Sequence, residues 1–210
     1  MKKKIQYISQ GETAAEQLLN IEKVLDAGGK WIQLRYKNPS QTKVLKLAIQ
    51  VKKAIESYGC TFIINDSPAI AKEVDADGVH LGFSDMSISA AKIIVGADKI
   101  VGGTANTFDD VLQRYQENCS YVGLGPYAFT TTKKHLSPIL SLAGYKNTMN
   151  KLRELNIEIP IYAIGGIHLT DIKSILETGI YGIALSGAIT RHDNQRELYN
   201  QLYQLCNHYK

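Results

Sequence analysis

The chain has 210 residues, 44% of them hydrophobic and 21% charged, which suits a soluble globular protein with one sizeable core. No run approaches the roughly 18 apolar residues of a membrane span. The net charge of +4 is scattered rather than gathered into a basic stripe with interleaved aromatics, so neither a membrane nor nucleic acid is an expected partner, and small anionic substrates are.

The opening MKKKIQYISQ carries positive charge with no apolar stretch behind it, and reads as a basic lead into a strand rather than a secretory leader. Eight short β-branched runs follow: Ile5 to Ser9, Trp31 to Arg35, Thr61 to Asn65, Gly78 to His80, Ile100 to Gly103, Tyr121 to Leu124, Ile161 to Ile164 and Gly182 to Leu185. Helical periodicity lies between them. Val44 to Ile55 places Val44, Leu45, Leu47, Ala48, Val51 and Ile55 on one face, and Ile172 to Leu176 stops at Gly179. Arg196 to Tyr209 carries an apolar stripe from Leu198 to Cys206 and is expected on the outside of the sheet. Cys60, Cys119 and Cys206 are odd in number and lack the spacings of zinc sites or disulfide frameworks. They are read as packing residues in a reducing, cytoplasmic compartment.

Eight β-then-α units without a Pro/Gly/Ser-rich linker predict an α/β chain forming a single-domain (β/α)8 TIM barrel over residues 1–210. Barrel chemistry sits at the C-terminal ends of the strands. Those ends carry Gln33, Arg35 and Lys37; Asn65 and Asp66; His80; Thr104; a loop with Thr130, Thr132, Lys133 and Lys134; Gly165 and Gly166; and Ser186 and Gly187. The opposite ends carry turn residues such as Gly28, Gly59 and Gly179.

Each candidate also has a plain structural reading. The Thr/Lys-rich loop is either a solvated connection or a phosphate cradle of hydroxyls, N–H groups and a lysine charge. Asp66 and Asp85 each precede a helix start and suit N-caps, but two carboxylates on neighbouring loops also suit Mg2+, which prefers oxygen ligands and keeps waters. His80 has no second ligand at metal spacing and is read as a satisfied hydrogen-bonding residue behind the site. Gln33, Arg35 and Lys37 alternate along one strand and are expected to face the barrel mouth. Glycines after the seventh and eighth strands favour a second phosphate pocket.

Six stretches carry a resemblance: QLRYK at 33–37, IINDS at 63–67, DADGVHLGFSDM at 75–86, GPYAFTTTKK at 125–134, AIGGI at 163–167 and SGAI at 186–189. In this order they resemble the thiamine-phosphate synthase family along essentially the whole chain. The resemblance implies a magnesium-dependent barrel enzyme that joins hydroxymethylpyrimidine pyrophosphate to a thiazole phosphate carboxylate, releasing pyrophosphate and carbon dioxide. It places Gln33, Arg35, Lys37 and Asn65 on the pyrimidine pyrophosphate, Asp66 and Asp85 on Mg2+, Thr104 near the substrate and Lys133 on the departing pyrophosphate. Thr130, Thr132, Gly166, Ser186 and Gly187 fall on the thiazole phosphate, and the loop over 126–138 is expected to act as a lid.

Four positions depart from the family pattern: Tyr36 for glutamate, Ser67 for arginine, Phe83 for glutamine and Asn106 for histidine. A thiazole tautomerase on the same barrel would use that missing histidine. A sugar-phosphate epimerase would need paired acid and base groups across the mouth, and a non-catalytic binder of thiamine precursors would gain little from the leaving-group residues. A small homo-oligomer is compatible with the chain, whose sequence does not set the assembly state.

Overall fold

The computed structural model describes residues 3–130 and 137–209. The strands β1 (Ile5–Ile8), β2 (Trp31–Leu34), β3 (Thr61–Asn65), β4 (Gly78–Leu81), β5 (Ile100–Ala105), β6 (Tyr121–Leu124), β7 (Ile161–Ile164) and β8 (Gly182–Leu185) pair in sequence order, and β8 returns to β1 to close the barrel. All eight pairings are parallel. The expected (β/α)8 barrel is the observed fold.

Helices α1 (Ala14–Asp26), α2 (Gln41–Ile55), α3 (Pro68–Glu73), α4 (Ile88–Val95), α5 (Phe108–Gln116), α6 (Ser141–Glu154), α7 (Ile172–Glu177), α8 (Gly187–Thr190) and α9 (Gln195–His208) cover the strands. Several starts are encoded locally. The side chains of Thr13, Ser67, Ser87 and Asn194 each accept a backbone N–H of the first turn, and Thr107 with Asp110 forms a reciprocal capping box. The stripe expected on α9 is real: Leu198, Tyr199, Leu202 and Cys206 are buried against the barrel exterior.

Alternation along each strand divides the core in two. Outward residues such as Ile32, Leu34, Phe62, Ile64, Val79 and Val101 pack under the helices. Inward residues Ile8, Trp31, Ile63, Tyr121, Tyr162 and Ala184 form a separate cluster inside the barrel. Its centre is three rings meeting edge to face, with Trp31 5.0 Å from Tyr121 and 4.9 Å from Tyr162, and the two tyrosines 5.5 Å apart.

Rings of this size fit because glycine faces them across the ladder. Gly102 pairs with Tyr121 and Gly182 with Tyr162. A Cβ on Gly102 would lie 2.3 Å from the Tyr121 ring, and one on Gly182 would lie 2.6 Å from the Tyr162 ring. The plug fills the lower barrel beneath the C-terminal mouth.

Candidate active site at the C-terminal mouth

The polar strand ends converge at this mouth, though not all at one depth. Gln33 is only 2% exposed and its amide donates to Gln6 Oε1 at 3.1 Å, so it lies a layer below the mouth rather than facing it with Arg35 and Lys37. The reason is strand length: β2 ends at Leu34, and only residues beyond it clear the barrel rim. Arg35 is half-buried, with its backbone N–H donating to Ser9 Oγ at 2.9 Å. Burial lowers the pKa of its guanidinium, and the nearby Asp66 charge opposes that shift.

Asp66 follows β3 directly in the left-handed region, with φ of 65°. Such a conformation is unfavourable for a residue with a Cβ and concentrates at functional sites. It aims the carboxylate across to Lys37, whose Nζ lies 3.0 Å from Oδ2. The capping alternative fails for both aspartates: Ser67 caps α3 and Ser87 caps α4. Asp85 instead accepts the Gly82 N–H at 2.7 Å. Burial, together with the carboxyl of Asp66 beside it, pushes the Asp85 carboxyl above its usual range, against the opposing effect of the Gly82 hydrogen bond.

Two carboxyl groups held together near a lysine and an arginine, with the more buried one disfavoured in its charged form, are a donor set that a hard divalent cation fits. Among the described residues no group of three or more His, Cys, Asp or Glu gathers, so the remaining ligands of such an ion would be water and substrate oxygens. Because the folded protein disfavours ionised Asp85, Asp85→Asn is expected to raise the Tm of the metal-free protein at neutral pH by about 1–3 °C while suppressing any reaction that uses a cation held there. Thermal melts and steady-state rates on the same preparation check both signs.

Thr104 falls within β5 rather than after it, because that strand runs to Ala105. Its hydroxyl lies 3.1 Å from His80 Nε2. His80 is buried and also meets the Tyr121 hydroxyl at 3.0 Å, in agreement with its reading as a satisfied residue behind the site. Asn65 ends β3 beside them, paired in register with His80.

On the far side, Gly165 and Gly166 turn with φ of 87° and 70°. A Cβ at Gly166 would lie 2.5 Å from the Ala128 carbonyl, so glycine is what allows the β6 and β7 loops to touch. Tyr127 and Ala128 donate their N–H groups to the Gly165 carbonyl at 3.0 Å, which brings Thr130 beside that turn. Ser186 precedes the short α8, and its carbonyl accepts the N–H groups of Ile189 and Thr190 at 3.0 Å. Thr132, Lys133 and the rest of residues 131–136 within the expected 126–138 lid lie outside the described residues.

A cavity of 520 Å³ opens over the ends of β1 and β2, lined by Ser9, Gln10, Arg35, Lys37 and Lys43 among others, and reaches Ser186 after β8. Ser9 and Gln10 were missed in the sequence because the strand-end reading began at the second strand; applied to the first, it would have found them. The four departures have local structural roles. Ser67 is a cap, Tyr36 packs against the core and Phe83 stacks on Arg114, whose Cζ lies 4.5 Å from the ring centroid. The Asn106 amide donates to the Gly125 carbonyl, which ties the β5 loop to the β6 loop.

Comparison with known proteins identifies the chain's relatives. Residues 6–189 match the family model described as thiamine monophosphate synthase. A thiamine-phosphate synthase of Flavobacterium psychrophilum is 54% identical over 202 residues, covering 96% of this chain and 98% of that one. The same enzyme of Flavobacterium johnsoniae is 51% identical, with 96% and 95% covered. A solved thiamine phosphate pyrophosphorylase from Pyrococcus furiosus superposes with a TM-score of 0.84 at 25% identity, over 98% of this chain and 96% of that one. With the barrel, the clustered charges and the glycine turns in place, the chain belongs to the thiamine monophosphate synthase family and is a transferase that makes thiamine phosphate.

Proposed function

We propose that the charged side of the mouth takes the pyrimidine pyrophosphate and the glycine side takes the thiazole phosphate, so that coupling occurs between them over the barrel floor. The observation that carries this reading is the grouping of Arg35, Lys37, Asp66 and Asp85 at the ends of β2 to β4, with Gly166, Ser186 and Gly187 across the mouth at β7 and β8.

Arg35 and Lys37 bind the pyrophosphate oxygens, and Asn65 with Gln33 beneath it orients the pyrimidine. Asp66 and Asp85 would hold Mg2+, which when bound would supply positive charge to offset that developing on the leaving pyrophosphate. Lys37 then exchanges its ion pair with Asp66 for substrate phosphate. Lys133 reaches the same pyrophosphate from the β6 loop, and Thr104 donates to the pyrimidine substrate. As the bond from the pyrimidine methylene to pyrophosphate breaks, the electron-rich ring carries the positive charge. The thiazole nitrogen attacks that carbon, and loss of the carboxylate as carbon dioxide completes the product. Backbone N–H groups at Gly166 and Gly187, the Ser186 side chain and the hydroxyls of Thr130 and Thr132 hold the thiazole phosphate.

A cation intermediate survives only where water is kept away. The Trp31, Tyr121 and Tyr162 plug supplies the lower seal, and the 126–138 loop supplies the upper one as a lid. The tautomerase alternative is disfavoured by Asn106, whose amide is occupied by the Gly125 carbonyl and offers no group that titrates near neutral pH.

The same proposal treats residues 1–210 as one catalytic domain located in the cytoplasm, a location consistent with three free cysteines. No helix among the described residues is long and apolar enough to cross a membrane. The deciding experiment supplies both phosphorylated precursors with and without Mg2+ and follows thiamine phosphate and pyrophosphate. Product only with the metal supports the reading, whereas equal product after exhaustive chelation removes the metal role of Asp66 and Asp85. Lys133→Ala is expected to lower kcat by about 10²-fold, the scale of losing one charge-stabilising group in a closed site, as read by single-turnover pyrophosphate release.

A further inference from the structure

A row of polar side chains crosses the barrel between the aromatic plug and the mouth. Gln33 Nε2 donates to Gln6 Oε1 at 3.1 Å, and Gln6 Nε2 donates to the Tyr121 hydroxyl at 3.2 Å. That hydroxyl lies 3.0 Å from His80 Nδ1, and His80 Nε2 lies 3.1 Å from Thr104 Oγ1. Gln6, Gln33, His80 and Tyr121 are all buried, so each must find its partners within the row or among its immediate neighbours.

The row has a direction. Gln6 turns its nitrogen to the phenol and its oxygen to Gln33, and this orientation decides which way every later proton points. The Tyr121 oxygen accepts from Gln6, and its single proton is left for His80 Nδ1. Burial holds the phenol well above its ordinary pKa, so that proton stays in place. With Nδ1 as acceptor, neutral His80 carries its own hydrogen on Nε2 and donates it to Thr104 Oγ1. A Thr104 hydroxyl whose lone pair is engaged in this way keeps its own proton for another acceptor.

We propose that His80 is a positioning residue, held by Tyr121 as the Nε2–H tautomer, and that it presents the Thr104 hydroxyl as a hydrogen-bond donor to an acceptor atom of the pyrimidine pyrophosphate. This rests on the reading of Thr104 as a substrate contact, and the tests separate the two. In the free protein, 15N spectra of histidine-labelled chain, with His80 assigned by its loss in His80→Gln, are expected to show the proton on Nε2. A proton on Nδ1 reverses the row and overturns the proposal without reference to substrate.

In the coupling assay, Thr104→Val and His80→Asn are each expected to lower kcat by roughly 10- to 100-fold, the range for one hydrogen bond in a closed site. His80→Gln, whose amide nitrogen falls near the Nε2 position, is expected to stay within a few-fold of the parent. A merely structural histidine would not separate Gln from Asn in this way, and thermal melts of both variants check that they fold. His80→Gln falling as far as His80→Asn, or His80→Asn coupling normally while Thr104→Val fails, overturns the positioning role. Normal coupling by Thr104→Val removes Thr104 from the substrate and overturns the proposal together with that part of the proposed function, whatever tautomer the spectra report.

Discussion

Asp66→Asn is expected to leave a folded barrel that couples its substrates about 10²- to 10³-fold more slowly, with the response to Mg2+ shifted to much higher concentration. Asparagine is the informative replacement because it tolerates the left-handed backbone that Asp66 adopts at φ 65°, so the variant removes charge and little else. Its stability should stay within about 1 kcal/mol of the parent, since the ion pair it breaks is half exposed at Lys37 and such pairs are worth little. Asp66→Ala should show the same catalytic loss and also melt lower, because alanine takes that backbone region at a cost of roughly 1–2 kcal/mol. Kinetics across a magnesium titration, beside calorimetric melts, separate charge from strain. A wild-type rate in Asp66→Asn would take the carboxylate out of the site altogether.

Gly102→Ala is expected to destabilise the fold by about 1–3 kcal/mol or more, through overpacking in a site that has no room to relax. The added Cβ would lie 2.3 Å from two ring carbons of Tyr121 and 2.7 Å from its hydroxyl oxygen. Tyr121 cannot retreat, because Trp31 and Tyr162 meet it edge to face, and its hydroxyl is engaged by Gln6 and His80. Each kcal/mol corresponds to roughly 2–4 °C in Tm for a chain of this size. Urea and thermal unfolding of Gly102→Ala, Tyr121→Leu and the double variant test the mechanism. If steric conflict is the cause, the double variant will be more stable than the sum of the single losses allows. Additive losses would mean that Gly102 matters for its backbone rather than for the space beside it.

The strands were legible because they lie in short, largely apolar runs, several of them rich in β-branched or aromatic residues, between turn residues, and the count of eight then left a closed barrel as the economical arrangement. The edges moved where sequence carries no boundary. β5 continues through Thr104 to Ala105, since pairing of Thr104 with Gly123 and Ala105 with Leu124 extends the ladder past the residues that look like its end. The site residues were found by asking what stands at strand ends, and that question does not report depth. Gln33 and Arg35 alternate onto one face, yet one is sealed beneath the mouth and the other reaches it, because the barrel rim passes between them.

By itself, then, the order of residues determined the element sequence, the end of the barrel that carries the polar groups and, through six short motifs, the family. These are local or periodic properties, written in spacing and side-chain type. Tertiary structure alone decided that Ser67 and Ser87 cap their helices and so release Asp66 and Asp85 from that duty. It also decided that Lys37 meets Asp66, and that Gln6, Gln33, Tyr121, His80 and Thr104 join into one row. Those partners come from different strands, and no spacing along the chain encodes a contact that closing the barrel creates.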